Sequence, residues 1–191
     1  HMLTTGYADT SKLQESCREM VLDWLAAGLD PEKCVIFKQS DVVEHAELSL
    51  ILGMVTPLSW LENNPTWKDQ LQELDKPEIR SYGFLGYPVL QTADILLYHG
   101  TKVPVGQDQL PHIELSREIT RRFNNAFGEF FAEPQPLLTP TPKVPGTDAR
   151  KMSKSYGNAI DIYETAAALE TKAKGMYTDP TRKKATDPGH P

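Results

Sequence analysis

Apolar residues Leu13, Cys17, Met20, Val21, Trp24 and Leu25 recur at three- and four-residue intervals. That spacing predicts one amphipathic helix, with Gly28 as its stop. Cys34-Val-Ile-Phe37 is short, apolar and β-branched, the pattern of a buried strand. Asp41-Val-Val-Glu44 has the arrangement of a capping box, which predicts a second helix running towards Gly53 and stopping before Pro57. Asn64-Pro65 suits the N-cap and first position of a third helix reaching about Leu74, with Pro77 beyond it. Gly83 to Gly86 reads as a flexible approach to Tyr87-Pro88, where a fourth helix is expected to start and run to His99-Gly100.

Val103-Pro-Val-Gly106 reads as a short strand that stops abruptly. Leu115, Ile119 and Phe123 then mark one face of a helix on which Glu118 can pair with Arg122. Leu137 to Val144 is proline-rich and extended, and Asp161-Ile-Tyr-Glu164 is placed to cap a last helix ending at Gly175. No internal repeat or low-complexity segment interrupts this order. Helices alternating with short apolar strands predict an α/β domain with a parallel sheet.

Composition narrows the picture only modestly. A chain of 191 residues, 39% hydrophobic and 24% charged, can build one core and a small subdomain. No apolar run approaches the roughly 20 residues that span a bilayer, so no membrane partner is expected. His1-Met2 reads as a cloning scar and is set aside. Cys17 and Cys34 form neither a CxxC pattern nor a disulfide framework, which fits a reducing, cytoplasmic setting. A net charge of −6 argues against a general nucleic-acid-binding surface. Positive charge is grouped instead at Arg117, Arg121 and Arg122, at Arg150, Lys151 and Lys154, and at Arg182, Lys183 and Lys184.

Three segments offer chemistry. Gln91 and Asp94 stand three residues apart on one helical face, among neighbours that are almost all apolar. A carboxylate there is costly unless something donates to it. The face either turns to water or forms a pocket floor; an indole N–H or a phenol O–H would suit such a pocket. Gly106-Gln-Asp-Gln109 follows the short strand and precedes a helix, where close backbone approach and a helix N-terminus favour phosphate or carboxylate. A loop of these residues is also often just a loop. Lys151-Met-Ser-Lys-Ser155 sets two ammonium groups three residues apart, with two hydroxyl donors, between turns at Pro145-Gly146 and Tyr156-Gly157-Asn158. Such a loop suits a polyphosphate, and a given five-residue string arises by chance in only about one in 10⁴ chains of this length.

The string Lys151 to Ser155 resembles the KMSKS signature of class I aminoacyl-tRNA synthetases, where it stabilises the pyrophosphate leaving group of ATP. Tyr87-Pro-Val-Leu-Gln-Thr-Ala-Asp-Ile-Leu-Leu-Tyr98, Val103-Pro-Val-Gly-Gln-Asp-Gln109, His112-Ile-Glu-Leu-Ser-Arg-Glu118 and Arg122-Phe-Asn124 closely resemble the bacterial tryptophanyl-tRNA synthetases. The resemblance covers nearly the whole chain. It implies that Asp94 accepts the indole N–H of L-tryptophan, with Tyr87, Gln91, Val103 and Val105 shaping the pocket and Gln109 meeting the amino-acid head group. Gly106, Gln107 and Asp108 would line the nucleotide, and backbone near Val144 would meet adenine. Lys151 and Lys154, with Met152, Ser153 and Ser155 in the same loop, would neutralise charge on the pyrophosphate of ATP, whose phosphates carry Mg²⁺. The activated amino acid would pass to tRNA(Trp), and the family implies a homodimer. Gln91 stands where many relatives have methionine.

The same resemblance implies a Rossmann-like catalytic domain that is incomplete here. The family's first strand and HIGH-type signature have no counterpart, since His45 and His99 lie in other surroundings, and the anticodon-reading domain is absent. The expected divisions are a Rossmann portion over 3–40, a helical insertion with the specificity helix over 41–100, a second Rossmann half carrying the lysine loop over 101–175, and the start of a linker over 176–191. Such a piece is expected to be inactive alone. A tyrosyl relative, or a non-catalytic binding or dimerisation module, are the competing expectations.

Overall fold

The computed structural model describes residues 7–73, 80–140, 144–150, 152, 156–161 and 164–178. The chain divides into two compact units, His1–Leu137 and Leu138–Pro191. In the first, α1 (Leu13–Ala26) is followed by a 3₁₀ turn (Gln39–Asp41), α2 (Glu44–Val55), α3 (Leu58–Glu62), α4 (Pro65–Glu73), α5 (Tyr82–Leu96), β1 (Lys102–Pro104), a second 3₁₀ turn (Gln107–Gln109), α6 (Leu110–Phe127) and β2 (Gln135–Leu137). The second unit contributes α7 (Ala166–Lys174).

The centre of the first unit is α5, which packs against α2 and α6, and these two also touch each other. Its buried residues Phe84, Pro88, Val89, Thr92, Ala93 and Leu96 follow a helical stripe. Leu52, Leu61, Leu115, Ile119 and Phe131 close on Val89, Ala93 and Leu96 to make the apolar core. Fully burying a leucine such as Leu96 stabilises by about 1.5–3 kcal/mol. Between α5 and α6 runs a buried hydroxyl seam: Thr92 Oγ1 bonds the Pro88 carbonyl and Ser116 Oγ, while Ser116 donates to the His112 carbonyl. β1 and β2 pair in parallel, Val103 opposite Pro136, with α6 as the crossover between them. The helix-rich arrangement around a short parallel sheet is that of an incomplete Rossmann-like domain.

Several local expectations change. Residues 34–37 form no strand, because no described strand lies beside them to complete a ladder, and Val35 is exposed. Helix α1 forms as expected, with Gly28 at φ +98° just beyond it, yet none of its side chains is buried. The capping box is not made: Asp41 belongs to the 3₁₀ turn and pairs with Lys38, and Val43 holds the N-cap position. Helix α5 starts five residues before Tyr87, because Ser81 Oγ accepts the Phe84 N–H and caps it. Gly83 and Gly86 are therefore helical, and Pro88 sits inside the helix, where it has no N–H to offer the Phe84 carbonyl. The helix ends with His99 at φ +52° and a bond from the Gly100 N–H to the Ile95 carbonyl, so the histidine takes the left-handed position usual for glycine. The aromatic rings of Phe130 and Phe131 pack on it.

Glu118 pairs with Arg121, which also holds Glu133, and Arg122 lies over the Trp60 ring instead. In the second unit Thr165, not Asp161, caps α7, its Oγ1 accepting the Ala168 N–H. Asn64 does cap α4, its Oδ1 accepting the Thr66 N–H at 3.0 Å. The stripe Leu115, Ile119 and Phe123 also packs as expected. Residues 88–96 of α5 serve the core, whereas α2 leaves Leu50, Ile51 and Met54 exposed.

Candidate functional site

Tyr87, Gln91 and Asp94 fall at i, i+4 and i+7 of α5 and so share one face, each half-buried. Their surroundings are more polar than the sequence suggests. The Asp94 Oδ1 atom accepts the Gln39 Nε2–H at 2.6 Å and bonds His45 Nδ1 at 2.6 Å. The other ring nitrogen of His45 reaches the Tyr98 hydroxyl at 2.9 Å. An ionised carboxylate only accepts, so Nδ1 must carry the proton, and in the neutral ring Nε2 accepts from the Tyr98 O–H. The His45 side chain is 4% exposed and that of Asp94 26%, so the ring is sealed while the carboxylate reaches the surface.

Two turns earlier, the Tyr87 hydroxyl lies 2.7 Å from His112 Nε2. Asn64 Nδ2 stands 3.5 Å from His112 Nδ1, at the limit of a hydrogen bond. Since Asn64 Oδ1 is occupied by the Thr66 N–H, its amide nitrogen faces the ring, Nδ1 accepts, and Nε2–H donates to Tyr87. Burial holds the His112 pKa below its ordinary value, with Asp108 opposing, and burial raises that of Tyr87. His112 is thus a neutral donor.

Val103 and Val105 lie on one half-buried face of the β1 segment, with Pro104 exposed between them. The Val105 N–H extends the ladder to the Leu137 carbonyl. Gly106 leads into the 3₁₀ turn Gln107–Gln109, which continues directly into α6. A Cβ at Gly106 would lie 2.7 Å from Asp108 Oδ1, so glycine lets that carboxylate fold back over the turn. Gln109 Nε2 donates to Asp108 Oδ2 at 3.1 Å.

Of the lysine loop, Lys151, Ser153, Lys154 and Ser155 lie outside the described residues. Its approach is well defined. The Val144 carbonyl accepts the Met152 N–H, and the Gly146 N–H donates to the Arg150 carbonyl. Asn158, 3% exposed, donates to Asp148 Oδ1 and accepts the Thr147 N–H on its carbonyl. Any Cβ at Gly146 would overlap the Asn158 amide, which explains glycine there. The Asn158 bond, with Arg150 helping, holds the Asp148 carboxyl below its usual range.

Residues 2–189 match the family of tRNA synthetases class I (W and Y). The chain belongs to that family. The tryptophan–tRNA ligase of Thermotoga maritima is 53% identical over the full chain, which spans 58% of that protein. That of Aquifex aeolicus is 45% identical, and the chain spans 66% of it. A structure of the Campylobacter jejuni tryptophanyl-tRNA synthetase, complexed with ADP and tryptophan, superposes with a TM-score of 0.81 at 39% identity, covering 93% of this chain and 55% of that one. The segment therefore spans little more than half to about two thirds of the length of these class I synthetases.

Gln39, His45 and His112 were not among the residues expected to act. Both histidines had a sequence signal: each heads a core stripe, with leucines or isoleucine three and seven residues on (Leu48 and Leu52; Leu115 and Ile119). A histidine in register with buried aliphatics must find polar partners inside. Gln39 carries no such signal.

Proposed function

We propose that this chain is the catalytic part of an enzyme that activates L-tryptophan with ATP and transfers it to tRNA(Trp). The observation that carries the reading is the Asp94 carboxylate, oriented by donors from Gln39 and His45 on the face it shares with Tyr87 and Gln91. An oriented acceptor suits the indole N–H, which can only donate. Val103 and Val105 shape the apolar walls, and Gln109 takes the head group. Gly106, Gln107 and Asp108 line the nucleotide, with backbone at Val144 towards adenine.

Lys151 and Lys154, with Met152, Ser153 and Ser155, stabilise the pyrophosphate as the tryptophan carboxylate attacks the α-phosphorus. No protein nucleophile is needed; the work is positioning and charge stabilisation. Mg²⁺ enters on the phosphates of ATP; among the described residues no three His, Cys, Asp or Glu side chains converge on an ion of their own. The exposed Leu50, Ile51 and Met54 of α2 suit a homodimer contact. Among the described residues no helix is long and apolar enough to cross a membrane, and the reaction belongs in the cytoplasm.

The test is tryptophan-dependent ATP–pyrophosphate exchange, on this chain and on one extended to the length of its relatives. Exchange in the extended chain, abolished by Lys154→Ala, is expected. Exchange driven by tyrosine in place of tryptophan would favour the tyrosyl branch of the family, and none with either would favour a non-catalytic module.

A further inference from the structure

We infer that His45 is a positioning residue for amino-acid selection: it fixes the orientation of the Asp94 carboxylate, and through it the affinity for the indole N–H. This rests on the functional reading above. The ring spends both nitrogens on two residues one turn apart, Asp94 in α5 and Tyr98 just past its end. It is therefore a strut between α2 and α5, rather than a core filler satisfied by its own helix. Gln39 donates to the same carboxylate oxygen. Two donors on Oδ1 at 2.6 Å remove rotation about Cβ–Cγ, so the direction of the second oxygen is set before any ligand arrives.

The ring itself is held against Phe37 and Tyr98, with centroids 5.8 and 5.4 Å away, and is sealed from solvent. Leu48 and Leu52, following on the same face of α2, seat the helix on the core. The position of His45 is thus a property of the fold, and that of Asp94 is a property of His45. Sequence position hides this, because 49 residues separate the two.

Two measurements test it. In this chain, ¹⁵N spectra of the His45 ring should show a protonated Nδ1 and, in the neutral ring, a bare Nε2; Asp94→Ala should abolish that preference. A neutral ring protonated at Nε2 overturns the inference. In the chain extended to the length of its relatives, His45→Gln should raise KM for tryptophan about 10- to 100-fold, the effect of losing a hydrogen bond to a charged group. The kcat and the KM for ATP should stay within about threefold, as expected when binding is lost equally from ground and transition states. His45→Asn, whose amide nitrogen takes the place of Nδ1, should restore KM to within about threefold.

A packing role alone would make the two variants alike, and equal KM values for them would overturn the inference. Absence of tryptophan-dependent exchange in the extended parent would overturn the functional reading, and the role of His45 with it. Normal exchange with KM unmoved by either variant would overturn this inference only.

Discussion

His45 and His112 occupy equivalent places: each heads an aliphatic stripe, each is buried, and each touches a tyrosine and a side chain from another element. They differ in what faces Nδ1. Asp94 there forces His45 to donate through Nδ1 and accept through Nε2, whereas Asn64 leaves His112 accepting through Nδ1 and donating through Nε2. The two rings are opposite tautomers. Tyr98 consequently gives its proton to a histidine, while Tyr87 receives one and must direct its own O–H elsewhere. A buried histidine has no fixed polarity of its own; the first partner imposes it, and the ring transmits it to the next.

The largest test of this pairing is Leu96→Ala. Leu96 is fully buried in the core that carries both stripes, and its truncation should cost about 2–5 kcal/mol, read from urea unfolding. A loss below about 1 kcal/mol would show that the stripes do not share one core. Asp94→Ala comes next. In the extended chain kcat/KM for tryptophan should fall on the order of 10²-fold, whereas Tyr87→Phe should cost about tenfold at most, because a charged acceptor outweighs a neutral hydroxyl. Equal losses would erase the distinction between the two clusters.

Asn64→Ala should destabilise by about 1 kcal/mol through loss of the α4 cap, and should free the His112 tautomer while leaving that of His45 unchanged. Both rings can be followed in one spectrum. The smallest effect is in pH dependence. Burial depresses the His112 pKa from its ordinary 6.5, so the unfolded chain binds the proton more readily. The stability this contributes is complete above about 6.5 and declines as pH falls through that value towards the folded-state pKa. His112→Phe should flatten the decline in the urea midpoint between about pH 7.5 and 5.5, and an unchanged slope would assign it to other groups.

Much of this was readable in the residue pattern where local rules act alone. Asn64-Pro65 capped α4, Leu115 and Ile119 faced the core, and Gly175 ended α7 as their spacing required. Local rules fail where a distant partner displaces a local one. Glu118 and Arg122 were free to pair at i, i+4, but Glu133 and Trp60 redistributed the arginines. Tyr87-Pro88 looked like a helix start because proline favours the first turn, yet Ser81 caps earlier and packing holds the proline inside. At the candidate site, motif residues could be named from the sequence. Their supports could not, since Gln39 and His45 lie about fifty residues from the carboxylate they hold.

Helix α2 carries His45 and Leu52 inward and Leu50, Ile51 and Met54 outward within twelve residues. Whatever covers the outer strip therefore restrains the same rigid body that orients Asp94. If the proposed homodimer contact forms there, self-association and amino-acid binding are thermodynamically linked, each changing the other by the same factor. Under the proposed pairing of copies, amino-acid affinity would then depend on protomer concentration.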